Sequence, residues 1–300
     1  MGLYRWTMDV AVTGCNGFLG SHLTRALSQA GHHVTGMVRP DSRTDHIEEA
    51  LHQKVVGDLS DAKALRRMAE CADVLVHIAF EAATDQPMRL FRADVLGSLQ
   101  LLELCRQSGV SQLVYISSIK VYNTVFNDRL LDERHAALPG DLTGAAKAAV
   151  ESFLLAYHEI HAMNTSALRL ACVYGMHHRW RDSWNYDVVN AVTLGEEVDT
   201  AHGGYVVHVD DVADAVVAAV GNYSVGGQVF NLVDEYVFDQ DVAKIAREMT
   251  GSPSVIYDRK SEITPHHFVN GKCDEILGVS PNRGDDGVRA YVRELLDKFV

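Results

Sequence analysis

The chain has 300 residues, 47% of them hydrophobic and 22% charged. That is enough to bury a sizeable core without disulfides or a structural metal, and it argues against disorder as the dominant state. A formal net charge of −13 speaks against a protein that coats nucleic acid or an anionic membrane, since such proteins gain affinity by setting cations on phosphates.

Met1 to Met8 holds one Arg and no apolar core, so no secretory signal peptide is expected. A short apolar strand at 9–13 ends in glycines. Leu19, Leu23, Leu27 and Ala30 then share one face of a helix that Gly31 stops. Strands follow at 33–38 and 54–56. A helix at 62–71 turns Leu65, Met68 and Ala69 inward. The run 74–79 reads as a buried strand, 94–108 as a helix with Val95, Leu99 and Leu102, and 112–117 as a strand. A long helix at 144–161 and a strand at 165–170 complete the alternation.

Apolar strands separated by helices imply a parallel sheet covered on both faces. The expected class is therefore α/β: a Rossmann-type doubly wound sheet with a smaller C-terminal substrate-binding lobe. After Tyr174-Gly175 the regularity fails. Apolar pieces at 205–209 and 229–233 flank a helix at 211–220, and two further helical segments lie in 239–300. The expected division is a dinucleotide-binding domain over 1–175, to which the chain returns at about 205–234. The substrate lobe is then built from 176–204 and 235–300.

No apolar run approaches the roughly 20 residues that span a bilayer. Cys15, Cys71, Cys105, Cys172 and Cys273 show no C-x-x-C spacing, which fits reduced thiols in a cytoplasmic protein. His158 and His161 share a helix face, but there is no HExxH and no cysteine cluster, so no catalytic metal is expected. No G-x-S-x-G elbow marks a serine hydrolase.

Thr13-Gly14-Cys15-Asn16-Gly17-Phe18-Leu19-Gly20 joins the first strand to the first helix. Gly14 permits a tight turn, Gly17 leaves room for a pyrophosphate, and Gly20 lets helix and strand pack closely. The strand–turn–helix context makes dinucleotide binding the expectation over a purely structural turn. An acid about 20 residues later would bind the ribose 2′-hydroxyl. Here Val38 is followed by Arg39, with Ser42 and Arg43 close by. A guanidinium suits a 2′-phosphate, so NADP(H) is preferred, with NAD(H) possible if Arg39 only stacks on adenine.

Further segments fall in order from about Val10 to about Asp234. They are Gly57-Asp58-Leu59, Val76-His77-Ile78-Ala79, Ser117-Ser118-Ile119-Lys120-Val121-Tyr122 and Leu131-Asp132-Glu133. After them come Leu168-Arg169 to Val173-Tyr174-Gly175, Val207-His208-Val209-Asp210-Asp211-Val212-Ala213, and Gln228-Val229-Phe230-Asn231-Leu232. With the glycine turn, they resemble the extended short-chain dehydrogenase/reductase family. That family includes the nucleotide-sugar epimerases and dehydratases and the dihydroflavonol-type reductases. The resemblance implies a cofactor site from Gly14, Asn16, Gly17, Phe18, Leu19, Gly20, Arg39, Asp58, Leu59, Ala79 and Lys147. It also implies a homodimer formed through the helices at 94–108 and 144–161.

In this family the chemistry rests on Ser or Thr, Tyr and Lys. The serine carries over to Ser118 and the lysine to Lys147. The tyrosine belongs four residues before the lysine, on the same helix face, and that position is Thr143. A phenol beside an ammonium can exchange a proton near neutral pH, whereas an aliphatic hydroxyl does not ionise usefully there. Thr143 can still donate a hydrogen bond or hold a water. Tyr122, Tyr174, Tyr186, His135, His177 and His178 are candidates to replace the phenol, each with a simpler packing or solvated role. The stretch His177 to Trp184 carries two Trp and two Arg where the family binds substrate. His177, Trp180 and Trp184, with Tyr122 and Tyr174, are thus candidate substrate contacts, against a loop that packs its tryptophans on the second lobe.

Three functions follow in order. The first is an NADP(H)-dependent oxidoreductase of a small carbonyl or alcohol. The second is a nucleotide-sugar epimerase or dehydratase, ranked lower because it needs a base and because His202-Gly203-Gly204-Tyr205 lacks the family's usual arginine. The third is a cofactor-binding protein or non-redox enzyme on the same fold.

Overall fold

The computed structural model describes residues 7–80, 86–122, 130–259 and 266–299. Seven parallel strands form the main sheet: β1 (Asp9–Thr13), β2 (His33–Val38), β3 (Gln53–Val56), β4 (Val74–His77), β5 (Gln112–Ser118), β6 (Asn164–Leu170) and β9 (Gln228–Leu232). Their order is β3-β2-β1-β4-β5-β6-β9, so the chain reverses direction across the sheet between β1 and β4. Open α/β sheets bind ligands outside the strand ends at that switch point.

Helices cover both faces. On one face α1 (Phe18–Gln29) and α7 (Val209–Ala219) bury Leu23, Leu27, Val212 and Val216 against Val10, Val12 and Phe230. On the other, α2 (Ala62–Glu70), α4 (Gly97–Ser108) and α5 (Leu142–His161) bury Leu65, Met68, Leu101, Leu102, Val150 and Leu154 against Leu75, Leu113 and Ala167. Side-chain caps fix two helix starts. Asp61 accepts from the Lys63 and Ala64 N–H groups, and Asp141 accepts from the Gly144 N–H at 2.7 Å. Among the described residues no helix is long and apolar enough to cross a membrane.

The second lobe has its own sheet, ordered β10-β8-β7, from β7 (Cys172–Tyr174), β8 (Gly203–His208) and β10 (Glu235–Phe238). Helices α6 (Tyr186–Thr193), α8 (Asp239–Thr250) and α10 (Gly284–Leu296) enclose a third core of Tyr174, Val189, Val192, Val242, Ile245, Val288, Tyr291 and Val292. The short α9 (Gly271–Leu277) instead packs Cys273 and Leu277 into the first core.

Two elements differ from expectation. The segment 205–209, read as part of a return to the cofactor domain, lies largely in β8 and pairs with β7 and β10. Only α7 and β9 of that stretch join the main sheet and its helices. The helix placed at 94–108 is longer and irregular. It begins as α3 (Pro87–Leu90), widens into a π-helical turn at Phe91–Leu96 and continues as α4.

Candidate active site

A cavity of about 1080 Å³ opens at the ends of β1 to β4. The structure gathers around it ten of the residues assigned to a cofactor: the six of the glycine turn, Arg39, Asp58, Leu59 and Ala79. Local sterics hold the turn. Gly14 has φ +70°, and a Cβ there would stand 3.1 Å from the Ala79 backbone. A Cβ on Gly20 would overlap the Gly14 carbonyl, so α1 starts directly against the turn. No side chain caps α1 and its first turn holds no acid, which leaves an N-terminus suited to an anion.

Arg39 leaves the end of β2 exposed and lines the cavity beside Asp58. The Asp58 carboxyl is held below its usual range, first by hydrogen bonds from Ser60 and further by the Arg39 charge. Arg43 is engaged elsewhere, in a fork with Asp45 at 2.9 and 3.2 Å. The opposite wall includes Phe80, Met88, Arg89 and Arg92, which sequence reasoning missed. The signal was Pro87, a first-turn proline that places the helix start before 94.

A buried polar chain ties the two walls together. The Thr13 hydroxyl accepts from the Ile78 and Ala79 N–H groups, both at 3.0 Å. Its proton therefore goes to His77 Nδ1, 2.7 Å away. His77 Nε2 then donates to Ser98 Oγ at 2.8 Å, and Ser98 donates to the Asp94 carbonyl. This holds His77 as a neutral imidazole. Burial and then the Lys147 charge pull its pKa from 6.5 to about 3. Between those values the unfolded chain binds a proton that the folded chain refuses. Stability is thus full above about pH 6.5 and falls as pH drops through that window, by up to ~1.4 kcal/mol per unit. Denaturant midpoints at pH 6.5 and 5, above the main carboxylate range, should show this fall. The fall should be smaller in His77→Gln, and an equal fall in both proteins would remove His77 from the account.

The catalytic candidates come from the end of β5 and the first turns of α5. Ser118 closes β5, accepts from the Lys120 N–H at 3.2 Å and donates to the Leu170 carbonyl at 3.4 Å. A Cβ on Gly144 would overlap the Lys120 carbonyl, so α5 starts in direct contact with the turn after Ser118. Thr143 is half-buried in the first turn of α5, and its hydroxyl has no hydrogen-bond partner among the described residues. Lys147 follows one turn later, but it does not line the cavity. Its Nζ donates to the Ile116 carbonyl at 2.7 Å.

One turn further, Glu151 anchors the region. It accepts from Arg169 Nη2 at 2.7 Å and from Ser117 Oγ at 2.5 Å. Arg169 also donates to the Tyr122 hydroxyl, which donates to Asn231 Oδ1 at 3.0 Å. Burial raises the Tyr122 pKa and its proton is committed, so Tyr122 does not replace the missing phenol.

The second lobe holds most of the remaining candidates. Tyr174 is fully buried in the third core against Trp184 and Tyr291. Trp180 packs edge-on to Tyr186 and Phe299, and Tyr186 stacks on Phe299 at 5.5 Å. The loop folds its aromatic rings inward because they supply the apolar area this small lobe needs. Tyr174 is therefore a core residue, and Trp180 and Trp184 are half-buried against that core. His135 is held beside Asp132. His177 stacks on Phe18 of the glycine turn at 5.6 Å, next to His178, which stacks on His46 at 3.8 Å. This ladder of rings seats the second lobe's loop on the cofactor turn.

Comparison with known proteins agrees with this geometry. The sequence family described as NAD dependent epimerase/dehydratase matches residues 10–232. A Synechocystis protein named after dihydroflavonol 4-reductase is 33% identical over 138 residues, 45% of this chain and 40% of that one. UDP-glucuronate 4-epimerase 3 of Arabidopsis thaliana is 28% identical over 186 residues, 56% of this chain and 43% of that one. The matched region thus spans less than half the length of either relative. The structure of UDP-glucose 4-epimerase with UDP-glucose from Thermotoga maritima superposes with a TM-score of 0.82 at 23% identity, covering 98% of this chain and all of that one. With that family's model matched over residues 10–232, the chain belongs to the NAD dependent epimerase/dehydratase family.

Proposed function

We propose that the chain binds NAD(H) in the cleft and interconverts an alcohol and a ketone on the sugar ring of a nucleotide sugar. The observation that carries this reading is the cavity at the strand-order reversal. There the glycine turn, the uncapped α1 N-terminus, Asp58 and Ala79 converge. The names of the Arabidopsis relative and the Thermotoga structure support the substrate class, ahead of the small carbonyl that the sequence ranked first.

Bound there, the dinucleotide supplies the hydride acceptor and donor. The α1 N–H groups would hold its pyrophosphate, and Asp58 would meet its adenine. Ser118, whose bond to the Leu170 carbonyl is long at 3.4 Å, would turn its hydroxyl to donate to the reacting oxygen. Thr143 holds a water that takes the proton on oxidation and returns it on reduction, because the threonine hydroxyl is too weak an acid to do so itself. Phe153 and Ile160 remain exposed on one side of α5, which supports a homodimer through that side.

Arg39 favours a second reading, an NADP(H)-dependent reductase of a small carbonyl. Reduction needs a proton donor rather than a strong base, so water held by Thr143 suffices. Calorimetry with NAD(H) and NADP(H), in the presence and absence of UDP-glucose and UDP-glucuronate, separates the two. NAD(H) binding tightened by a UDP-sugar is the expected result. Preferential NADP(H) binding, lost about tenfold to a hundredfold in Arg39→Asp, would establish the reductase instead. If neither dinucleotide binds, both readings fail.

A further inference from the structure

Lys147 stands at the family's lysine position, yet it does not line the cleft. The residue is 5% exposed. The Phe80 ring centroid lies 4.3 Å from Nζ and the Tyr115 centroid 4.7 Å. Phe80 lines the cavity and Lys147 does not, so the Phe80 ring is the partition between the cleft and the ammonium.

The groups facing Nζ come from every packed element. Asp94 from the π-helical turn and Glu151 from α5 favour its charge, Tyr115 from β5 adds a π-face, and the neutral His77 lies on β4. Burial outweighs the two carboxylates and brings the pKa down from 10.5 to about 8. The bond to the Ile116 carbonyl fixes the direction of the side chain. An apolar ring after Ala79 thus does two things at once: it keeps water from the ammonium, and its face offsets part of that desolvation.

We propose that Phe80 is a positioning residue that shields Lys147 from the cofactor cleft and sets how far its charge reaches the bound ligand. The shield itself stands on the geometry alone, and only its effect on binding rests on the dinucleotide reading above.

The test is the pH dependence of Lys147 acylation, followed by peptide mass spectrometry, in the parent, Phe80→Ala and Phe80→Leu. Phe80→Ala admits water, so the labelling midpoint should rise by a pH unit or more. Phe80→Leu keeps the cover and removes the π-face, so the midpoint should fall. NADH should bind Phe80→Ala several-fold more tightly, as the ammonium becomes free to reach the cleft. Midpoints equal to the parent's in both variants would overturn the proposal. A shifted midpoint without NADH binding would uphold the shield and count against the dinucleotide reading.

Discussion

Glu151→Ala is expected to cost about 3–5 kcal/mol of folding stability, because it leaves a buried guanidinium without its counter-charge. Glu151 and Arg169 are each only 6% exposed at the side chain and share three hydrogen bonds, at 2.7, 3.1 and 3.2 Å. The same substitution strips Ser117 of its acceptor, so three neighbouring elements lose a common anchor: β5, β6 and α5. Desolvating both charges is itself expensive, and a pair is not intrinsically better than packed apolar side chains. The double variant Glu151→Ala/Arg169→Leu should therefore recover much of the loss. Denaturant unfolding of the parent, both single variants and the double variant measures the coupling. A loss below about 1 kcal/mol in Glu151→Ala would show that Arg169 finds water or another acceptor. Thr143, Lys147 and Glu151 lie at i, i+4 and i+8 on one face of α5, so slack at Glu151 should also misplace the other two.

Glu151 and Arg169 also show where a sequence stops being legible. Arg169 lies in a motif that can be read directly and Glu151 lies one turn past Lys147, yet nothing in the residue order says that they meet. Their contact depends on how α5 lies against β6, which is a packing outcome. The glycine turn is the opposite case. Its requirements are steric and confined to Thr13 to Gly20, so they are written in the residues themselves. Strand β8 was legible as a strand but not as a member of the second sheet, since Tyr205 to Val207 is as apolar as β9 and periodicity carries no partner information. The cleft's far wall was hidden because Arg89 and Arg92 interrupt the apolar pattern and the π-helical turn breaks the 3.6-residue period. The tryptophans of the 177–184 loop were legible as unusual, but their inward direction was not. For Lys147, the position was readable and the direction of its ammonium was not.

Thr143→Tyr is expected to raise the rate of alcohol–ketone interconversion about 10²–10⁴-fold, the usual contribution of a positioned general acid–base. Asp141 caps α5 just before this position, so the backbone there is fixed before any substitution is made. A phenol at 143 lies one helical turn from Lys147, whose ammonium lowers a pKa that starts near 10. The rate should therefore acquire a new dependence on pH below 10, which the threonine enzyme lacks. Thr143→Phe is the control, since it adds the ring without the hydroxyl. Nicotinamide absorbance in single-turnover mixtures with UDP-sugars and small ketones reads all three proteins. Equal rates for Tyr, Phe and Thr would mean that residue 143 carries no proton and that the chain's chemistry lies elsewhere in the cleft. The gain should also depend on Phe80. While that ring covers Lys147, the new phenol has an ammonium nearby that is turned toward Ile116. Removing the cover with Phe80→Ala should let the two cooperate, so the double variant should exceed the product of the single effects. Simple additivity would show that Lys147 already acts through the ring. In that case the missing tyrosine, and not the hidden lysine, sets the rate.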